Sequence, residues 1–270
     1  PQTSAINNVS NTTTNLAYSA QFVKSSSESL TTNQYNASST AGLFACWMKH
    51  EGGTITGENR PWIFAAGPTG GNHTILTVTT SKKLNFYDYQ SGLTFSLTQT
   101  SSVDLTDGAW HHILLRWDTS QSTPADRVKI WIDGEQETLS GTYPSQNATQ
   151  QILNSNNKHY LSDQAYERKY WSCKLAQVVL LNGAQTYTAS DFLEADGRPK
   201  TSLSITFTNP SAYLTFSDSS NLGDNTSGYA SDWSVNGSPT RETSDTPTIR
   251  TSVLTFANNT GFGDFAVGDA

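Results

Sequence analysis

The chain has 270 residues, enough for one large β domain or two small ones, and globules of this size bury roughly three quarters of the surface their chain exposes. Only 14% of the residues are charged and the net charge is −7, so no basic stripe is available to displace counterions from a nucleic-acid backbone, and no nucleic-acid partner is expected. Thr, Ser and Asn together make 91 residues, a third of the chain, while Lys and Glu are scarce, a composition that favours strands and turns over helices.

The opening PQTSAINNVSNTTTN carries neither a basic nor an apolar stretch, so no Sec-type signal is expected, and residues 1–14 read as an arm that orders only against a partner. Residues 15–248 read as one sandwich domain. Leu16, Tyr18, Ala20 and Phe22 alternate on one strand face, and a short strand is expected near Leu30 after the serines at 25–27. GLFACWMK (42–49) is apolar on both faces, as a central strand covered on both sides should be. No apolar run approaches the roughly 18 residues of a membrane span, so no membrane insertion is expected. Short strands recur at PWIFAAG, HTILTVTT, KLNFYDY and LTFSLTQ, the last with Leu93, Phe95 and Leu97 in register, a spacing that points to a β-sandwich.

Asp107-Gly108 then launches AWHHILLRWD, with Trp110, His112 and Leu114 on one face and Ile113, Leu115 and Trp117 on the other. RVKIWIDG follows with Val128, Ile130 and Ile132 on one face, and Asp133-Gly134 makes a tight hairpin because both residues tolerate positive φ. YWSCKLAQVVLLNG is a further long strand. One short helix is expected in TASDFLEAD, with Thr188 as cap, Asp191 at the third helical position and Gly197 as stop. Strands resume at 213–216 and 232–235, and residues 249–270 read as a tail or linker. Cys46 and Cys173 lie in apolar strands and are expected as free, buried thiols.

Trp110, His112, Trp117 and Asp118, followed by 128–134 and by the apolar strand 175–183, form a pattern that resembles the laminin-G-like or concanavalin A-like lectin/glucanase sandwich. The resemblance implies an all-β, two-sheet antiparallel jelly-roll. A group of tailed-bacteriophage virion proteins carrying this domain is similar over residues 16–248, through AYSAQF, CWMK, AWHHILLRWDTSQ, RVKIWIDG, YPSQN, HYLS and SDFLEADGRPK, and through the closing stretch 214–248. The chain departs from that group at 228–231, where Gly228, Tyr229, Ala230 and Ser231 replace a Gly-Asn repeat. What this resemblance implies is a non-enzymatic structural protein: a fibre, decoration or adhesin subunit synthesised in a host bacterial cytoplasm and displayed on the virion surface. Its partners would be other virion proteins and host-surface glycans. The arm and the apolar-spaced tail (Val253, Leu254, Phe256, Phe262, Phe265 and Val267) suggest a homo-oligomer, with a trimer expected. The alternatives are a free carbohydrate-binding lectin and a glycan depolymerase.

Retaining glycosidases need two carboxylates about 5–5.5 Å apart. The nearest approach to such a pair, Glu135-Gln136-Glu137, follows a hairpin turn and reads as a solvated edge, so no catalytic residue is assigned. His111 and His112 are adjacent on a strand, point to opposite faces and cannot chelate one metal; His112 reads as a hydrogen-bonded core histidine. Asp218, Asn221, Asp224 and Asn225 form an oxygen-rich loop of the type calcium prefers, although Asx residues are ordinary in turns; no other cofactor is expected. Tyr87 and Tyr89 share one strand face and Trp131 faces away from Ile130 and Ile132. These three are the candidate sugar-stacking platform, against the alternative that they pack between sheets or in a subunit contact.

Overall fold

A computed structural model describes residues 16–247 apart from 33–34, 36–39, 57–59, 69–70, 155–156 and 164–168; the arm expected at 1–14 and the tail at 249–270 lie outside the described residues. The strands, in chain order, are β1 (Ser19–Phe22), β2 (Ser29–Thr32), β3 (Ala41–His50), β4 (Trp62–Gly67), β5 (His73–Val78), β6 (Leu84–Tyr89), β7 (Leu93–Gln99) and β8 (Trp110–Asp118). They continue with β9 (Val128–Ile132), β10 (Glu135–Gln136), β11 (Leu139–Thr142), β12 (Lys158–Leu161), β13 (Cys173–Asn182), β14 (Ala212–Leu214), β15 (Ser234–Asn236) and β16 (Thr240–Glu242).

Two eight-stranded antiparallel sheets result. Sheet I runs β10-β9-β8-β3-β13-β1-β16, with β14 pairing the far half of β13, and sheet II runs β11-β7-β6-β5-β4-β12-β2-β15. The apolar strand β3 lies between β8 and β13, and all its residues except Lys49 are buried. Between the sheets, the stacked rings of Phe44 (β3) and Phe64 (β4) lie 4.4 Å apart, within a core that also takes in Phe22, Phe86, Phe95, Trp117, Ile130 and Ile132. Gly42 is required at its position because a Cβ there would stand 2.4 Å from the Trp117 ring. The hairpin at Asp133-Gly134 forms as expected, with φ of 50° and 98°.

The outer face of sheet I is covered by a second core. Leu43, Ala45, Trp47, Trp110, Leu114 and Val179 pack there against Ala189, Phe192 and Leu193. Ala189 opens, and Phe192 and Leu193 follow, the 3-10 turn Ala189–Asp191, which is all of the helix the sequence suggested. Its cap is the expected one, with the Thr188 N–H donating to the Asp191 carboxylate at 2.7 Å. No helix among the described residues is long and apolar enough to cross a membrane.

Alternation misleads in two places. Leu16 packs against the second core, not the face shared by Ala20 and Phe22. Leu93 leaves the face of Phe95 and Leu97 because a β-bulge intervenes: Asp88 pairs with Phe95 but Tyr89 pairs with Leu93, so Thr94 is the extra residue. A one-residue insertion reverses the side from which every later side chain projects. Beyond these, the strands expected at 213–216 and 232–235 occur as 212–214 and 234–236.

His112 and His159 are buried in the folded chain, and burial lowers their pKa values from the ordinary 6.5 to about 4 and about 3. Asp245 bonds Lys49 and Lys174 at 2.6 Å each and Trp110 Nε1 at 3.0 Å. Against the desolvation that would raise it, those donors, Lys174 first, hold its pKa at about 2. The unfolded chain binds protons on both histidines below about pH 6.5 while the folded chain does not, so stability is full above that pH and declines as pH falls toward 4 and then 3. Asp245 adds a further loss between its ordinary 3.8 and about 2. Melting curves from pH 8 to pH 3 will show Tm falling from about pH 6.5 downward. His112→Phe, whose ring can keep the contacts to Trp47 and Phe192, will show a shallower decline; an unchanged slope would remove His112 from the account.

Both cysteines are fully buried and unbridged, and burial pushes their thiols up. Iodoacetamide will therefore label neither in the native protein and both after denaturation without reductant, as intact-mass spectrometry would read directly.

Candidate functional site

The two sheets differ in what lies over them. Trp131 projects from the outer face of sheet I, is only 5% exposed, and packs in the second core with the Arg116 guanidinium 5.1 Å from its ring centre. Tyr87 and Tyr89 project from the outer face of sheet II. The platform expected from Tyr87, Tyr89 and Trp131 is therefore not assembled: Trp131 belongs to another sheet and is covered, because the chain from Tyr187 to Phe207 lays apolar side chains over it and its neighbours.

On sheet II the antiparallel register aligns Tyr160, Ala65, Ile75 and Tyr87 on consecutive strands β12, β4, β5 and β6, each directly opposite the next. Trp62 joins this row, with the Arg60 guanidinium 5.7 Å from its ring centre. Exposure rises toward the β6–β7 turn. Trp62 and Tyr160 are buried, Tyr87 is half-buried, Tyr89 is 39% exposed and Leu93 is 64% exposed. His73, opposite Tyr89 on β5, stacks on its ring at 5.4 Å and 13° and meets the Tyr87 ring edge-on at 5.7 Å. The result is a rigid group of three rings bordered by the exposed Leu93, which the bulge at Thr94 has turned outward beside Tyr89. Sequence reasoning found the two tyrosines by alternation and missed His73, whose sign was its place in the HTILTV strand.

The other candidate residues are placed as follows. In the 218–225 loop, Asp218 accepts the Ser220 N–H at 2.8 Å, and Asn221 accepts the Gly223 N–H at 3.1 Å while donating to Asp232 at 2.9 Å. Asn225 accepts the Tyr213 N–H at 2.9 Å, and the Asp224 N–H donates to the Asn221 carbonyl at 3.1 Å. The side-chain oxygens of Asp218, Asn221 and Asn225 thus accept backbone N–H groups, and among the described residues no three His, Cys, Asp or Glu side chains converge in a way that could hold a metal ion.

Glu135 is exposed at the sheet I edge, whereas Glu137 is buried and accepts the Ser101 hydroxyl at 2.9 Å. His112 is a core histidine as expected, but its Nδ1 has no partner among the described residues; ring contacts hold it. His111, which points to the opposite face from His112 as expected, lies between Asp133 at 2.8 Å and Asp107 at 3.1 Å and ties the 107–109 turn to the β9–β10 hairpin.

A family model for the concanavalin A-like lectin/glucanases superfamily matches residues 17–190, and the chain belongs to that superfamily. No curated protein sequence matches the chain. Among solved structures, one similar fold is a Bacteroides ovatus protein described as carbohydrate-binding, with a TM-score of 0.57 and 15% identity, over 87% of this chain and 62% of that one. The chain thus spans less than two thirds of that protein's length. Domains LG4-5 of the mouse laminin α1 chain align at a TM-score of 0.44 and 14% identity, over 74% of this chain and 48% of theirs. A heptameric pentraxin from Limulus polyphemus aligns at 0.40 and 13%, over 63% of this chain and 78% of that one. The alignment with the Bacteroides ovatus protein shows a shared fold and nothing further.

The placement of the three aromatic candidates has a direct energetic consequence. Trp131→Ala will destabilise the protein by about 3–5 kcal/mol, as the loss of a buried ring does. Tyr89→Ala and Leu93→Ala will each change stability by about 1 kcal/mol or less. Urea unfolding of the three variants measures this; equal losses at all three positions would contradict the assignment of faces.

Proposed function

As a reading of this superfamily member, we infer that the chain is a lectin-like module that binds glycans without cleaving them, through the outer face of sheet II. The observation that carries it is the His73–Tyr87–Tyr89 ring group beside the exposed Leu93, at the open end of a row of aromatic and aliphatic side chains. A sugar ring offers an apolar C–H face to such rings, and their mutual stacking fixes them before a ligand arrives, which lowers the entropy lost on binding. The Bacteroides ovatus protein of similar fold, described as carbohydrate-binding, points the same way. A non-catalytic role is supported by the placement of Glu135 and Glu137, one in solvent and one turned inward to Ser101, and by the use of the Asp107 and Asp133 carboxylates as acceptors for backbone N–H groups at 109 and 112.

The test is affinity electrophoresis of the full chain through gels containing bacterial surface polysaccharides, with reducing-end release measured in parallel. Retardation by at least one polysaccharide is expected, weakened about ten-fold in Tyr89→Ala, with no new reducing ends. Retardation unchanged by Tyr89→Ala would move the site elsewhere, and product release would make the chain a depolymerase.

The finer reading is a virion-surface subunit of a tailed phage, assembled as a homotrimer with other particle proteins. Its support is the sequence resemblance over residues 16–248 and the spaced hydrophobics after Thr248. Immunogold labelling of particles and light scattering of the purified chain test the two parts separately; unlabelled particles, or a monomer, would refute the corresponding part.

A further inference from the structure

Asp88 and Tyr89 are successive residues of β6 and project to opposite sides. On the side away from the ring group, the end of sheet II and the 144–150 loop enclose a cleft of about 280 Å³. Asp88, Gln90, Thr94, Phe95, Pro144 and Gln150 are among its lining residues. Asp88 is 1% exposed. One of its carboxylate oxygens accepts the Thr74 hydroxyl, and that hydroxyl in turn accepts the Gln151 N–H at 2.9 Å. The other carboxylate oxygen accepts the Gln90 amide at 2.8 Å and the Thr94 hydroxyl at 2.7 Å. Gln90 also reaches the Thr149 carbonyl at 3.1 Å and so ties the loop to the β6–β7 turn.

Two features of this cleft stand out chemically. First, the donors to Asp88 are all neutral, and among the described residues no cation pairs with it, so its negative charge is carried at the cleft with one of about four acceptor positions still open. Second, Gln150 is also 1% exposed, and its Oε1 has no hydrogen-bond partner among the described residues. A buried acceptor left unpaired is destabilising, and native structures leave few of them without a reason. Both unmet requirements are for donors. The cleft therefore suits a ligand that brings O–H groups, and the uncompensated Asp88 charge opposes one that brings a carboxylate, sulfate or phosphate. Phe95 and Pro144 add apolar surface, and 280 Å³ lies below the usual range for drug-sized ligands, which matches a single ring.

We propose that this cleft is a binding subsite for one uncharged, hydroxyl-rich sugar ring, held by Asp88 and Gln150 as acceptors. It rests on the glycan-binding reading and deepens it. The cleft and the Tyr89 ring group lie on either side of the same β6–β7 turn, so one glycan end seated at Asp88 can continue over Tyr89. The bulge at Thr94 serves both places: it turns Leu93 outward, and its extra residue supplies the hydroxyl that orients the Asp88 carboxylate.

The test titrates the full chain with methyl glycosides of neutral hexoses and N-acetylhexosamines, and with methyl glucuronide, followed by protein-detected NMR. At least one neutral glycoside should shift the resonances of Gln90, Thr94 and Gln150, and methyl glucuronide should bind about ten-fold more weakly or not at all. Gln150→Met removes only the unpartnered amide, so it should weaken the neutral glycoside about ten-fold without lowering Tm, whereas a purely structural role would lower Tm and leave affinity intact. Asp88→Asn, if it folds, should abolish the discrimination against glucuronide. Polysaccharide retardation that depends on Tyr89 but not on Gln150, or glucuronide binding as tight as the neutral sugars, overturns the subsite and leaves the lectin reading standing. Failure of every glycoside and every polysaccharide to bind overturns both.

Discussion

Sheet I must bury side chains on both faces, and the different exposure of the aromatic side chains on the two sheets follows from that requirement. Its central strands β3 and β13 are apolar at nearly every position, so no register could present one of their faces to water without exposing a Leu, Val or Trp row. Sheet II covers one face through the Phe44–Phe64 stack and its neighbours, and the chain from Tyr187 to Phe207 covers the other. The covering segment is short of regular structure but rich in anchors, and Phe192, Leu193 and Ile205 hold it down where a long helix would in other architectures. Once sheet I is covered in this way, Trp47, Trp110 and Trp131 are withdrawn from solvent, whereas on sheet II the Tyr89 ring stays exposed.

On sheet II a single inserted residue decides what is presented. Without the bulge at Thr94, Asp88 would still oppose Phe95, but Tyr89 would oppose Thr94 and Leu93 would lie inward on the side of Phe95. With it, an apolar side chain joins the Tyr89 group on the outer side while a hydroxyl reaches the buried carboxylate on the inner side. Bulges are common where a strand must re-aim side chains, and this one changes both sides of the same turn at once.

The sequence made the sandwich legible because its strands alternate over five residues or more and its hairpin at Asp133-Gly134 has the turn chemistry that fixes register. The facing of Trp110, His112 and Leu114 against Ile113, Leu115 and Trp117 follows from period two alone, and the structure bears it out. The platform was less legible for two physical reasons. Period two tells which residues share a face of one strand, but not whether that face is later covered, and Trp131 and Tyr89 look equivalent until the 187–207 segment is in place. A bulge leaves no mark in the pattern of LTFSLTQ, since Leu93, Phe95 and Leu97 read as a clean alternation while the hydrogen bonds of Thr94 break it. The polar cleft was invisible for a third reason, because Asp88 and Gln150 are 62 positions apart in the chain and are joined only by tertiary packing.

Two buried or half-buried aspartates show how the same side chain can serve opposite ends. Asp245 is met by two ammonium groups and an indole N–H, which hold its pKa at about 2 and tie the last described strands to β3, β8 and β13. A carboxylate so compensated has little attraction left for a ligand, and its effect is to close the sandwich. Asp88 is buried more deeply, yet the groups that meet it are two hydroxyls and an amide, which stabilise the ion without cancelling its charge. Neutral donors also leave it geometrically open, since each occupies one acceptor position and none fills the site as a guanidinium fork would. Asp88 accepts from all three donors on its two oxygens, an arrangement that neither the mixed donor-acceptor amide of an Asn nor the single hydroxyl of a Thr reproduces, so the contacts themselves call for a carboxylate. Its shell still has room for a donor from outside, and the unpartnered oxygen of Gln150 on the same cleft calls for one too.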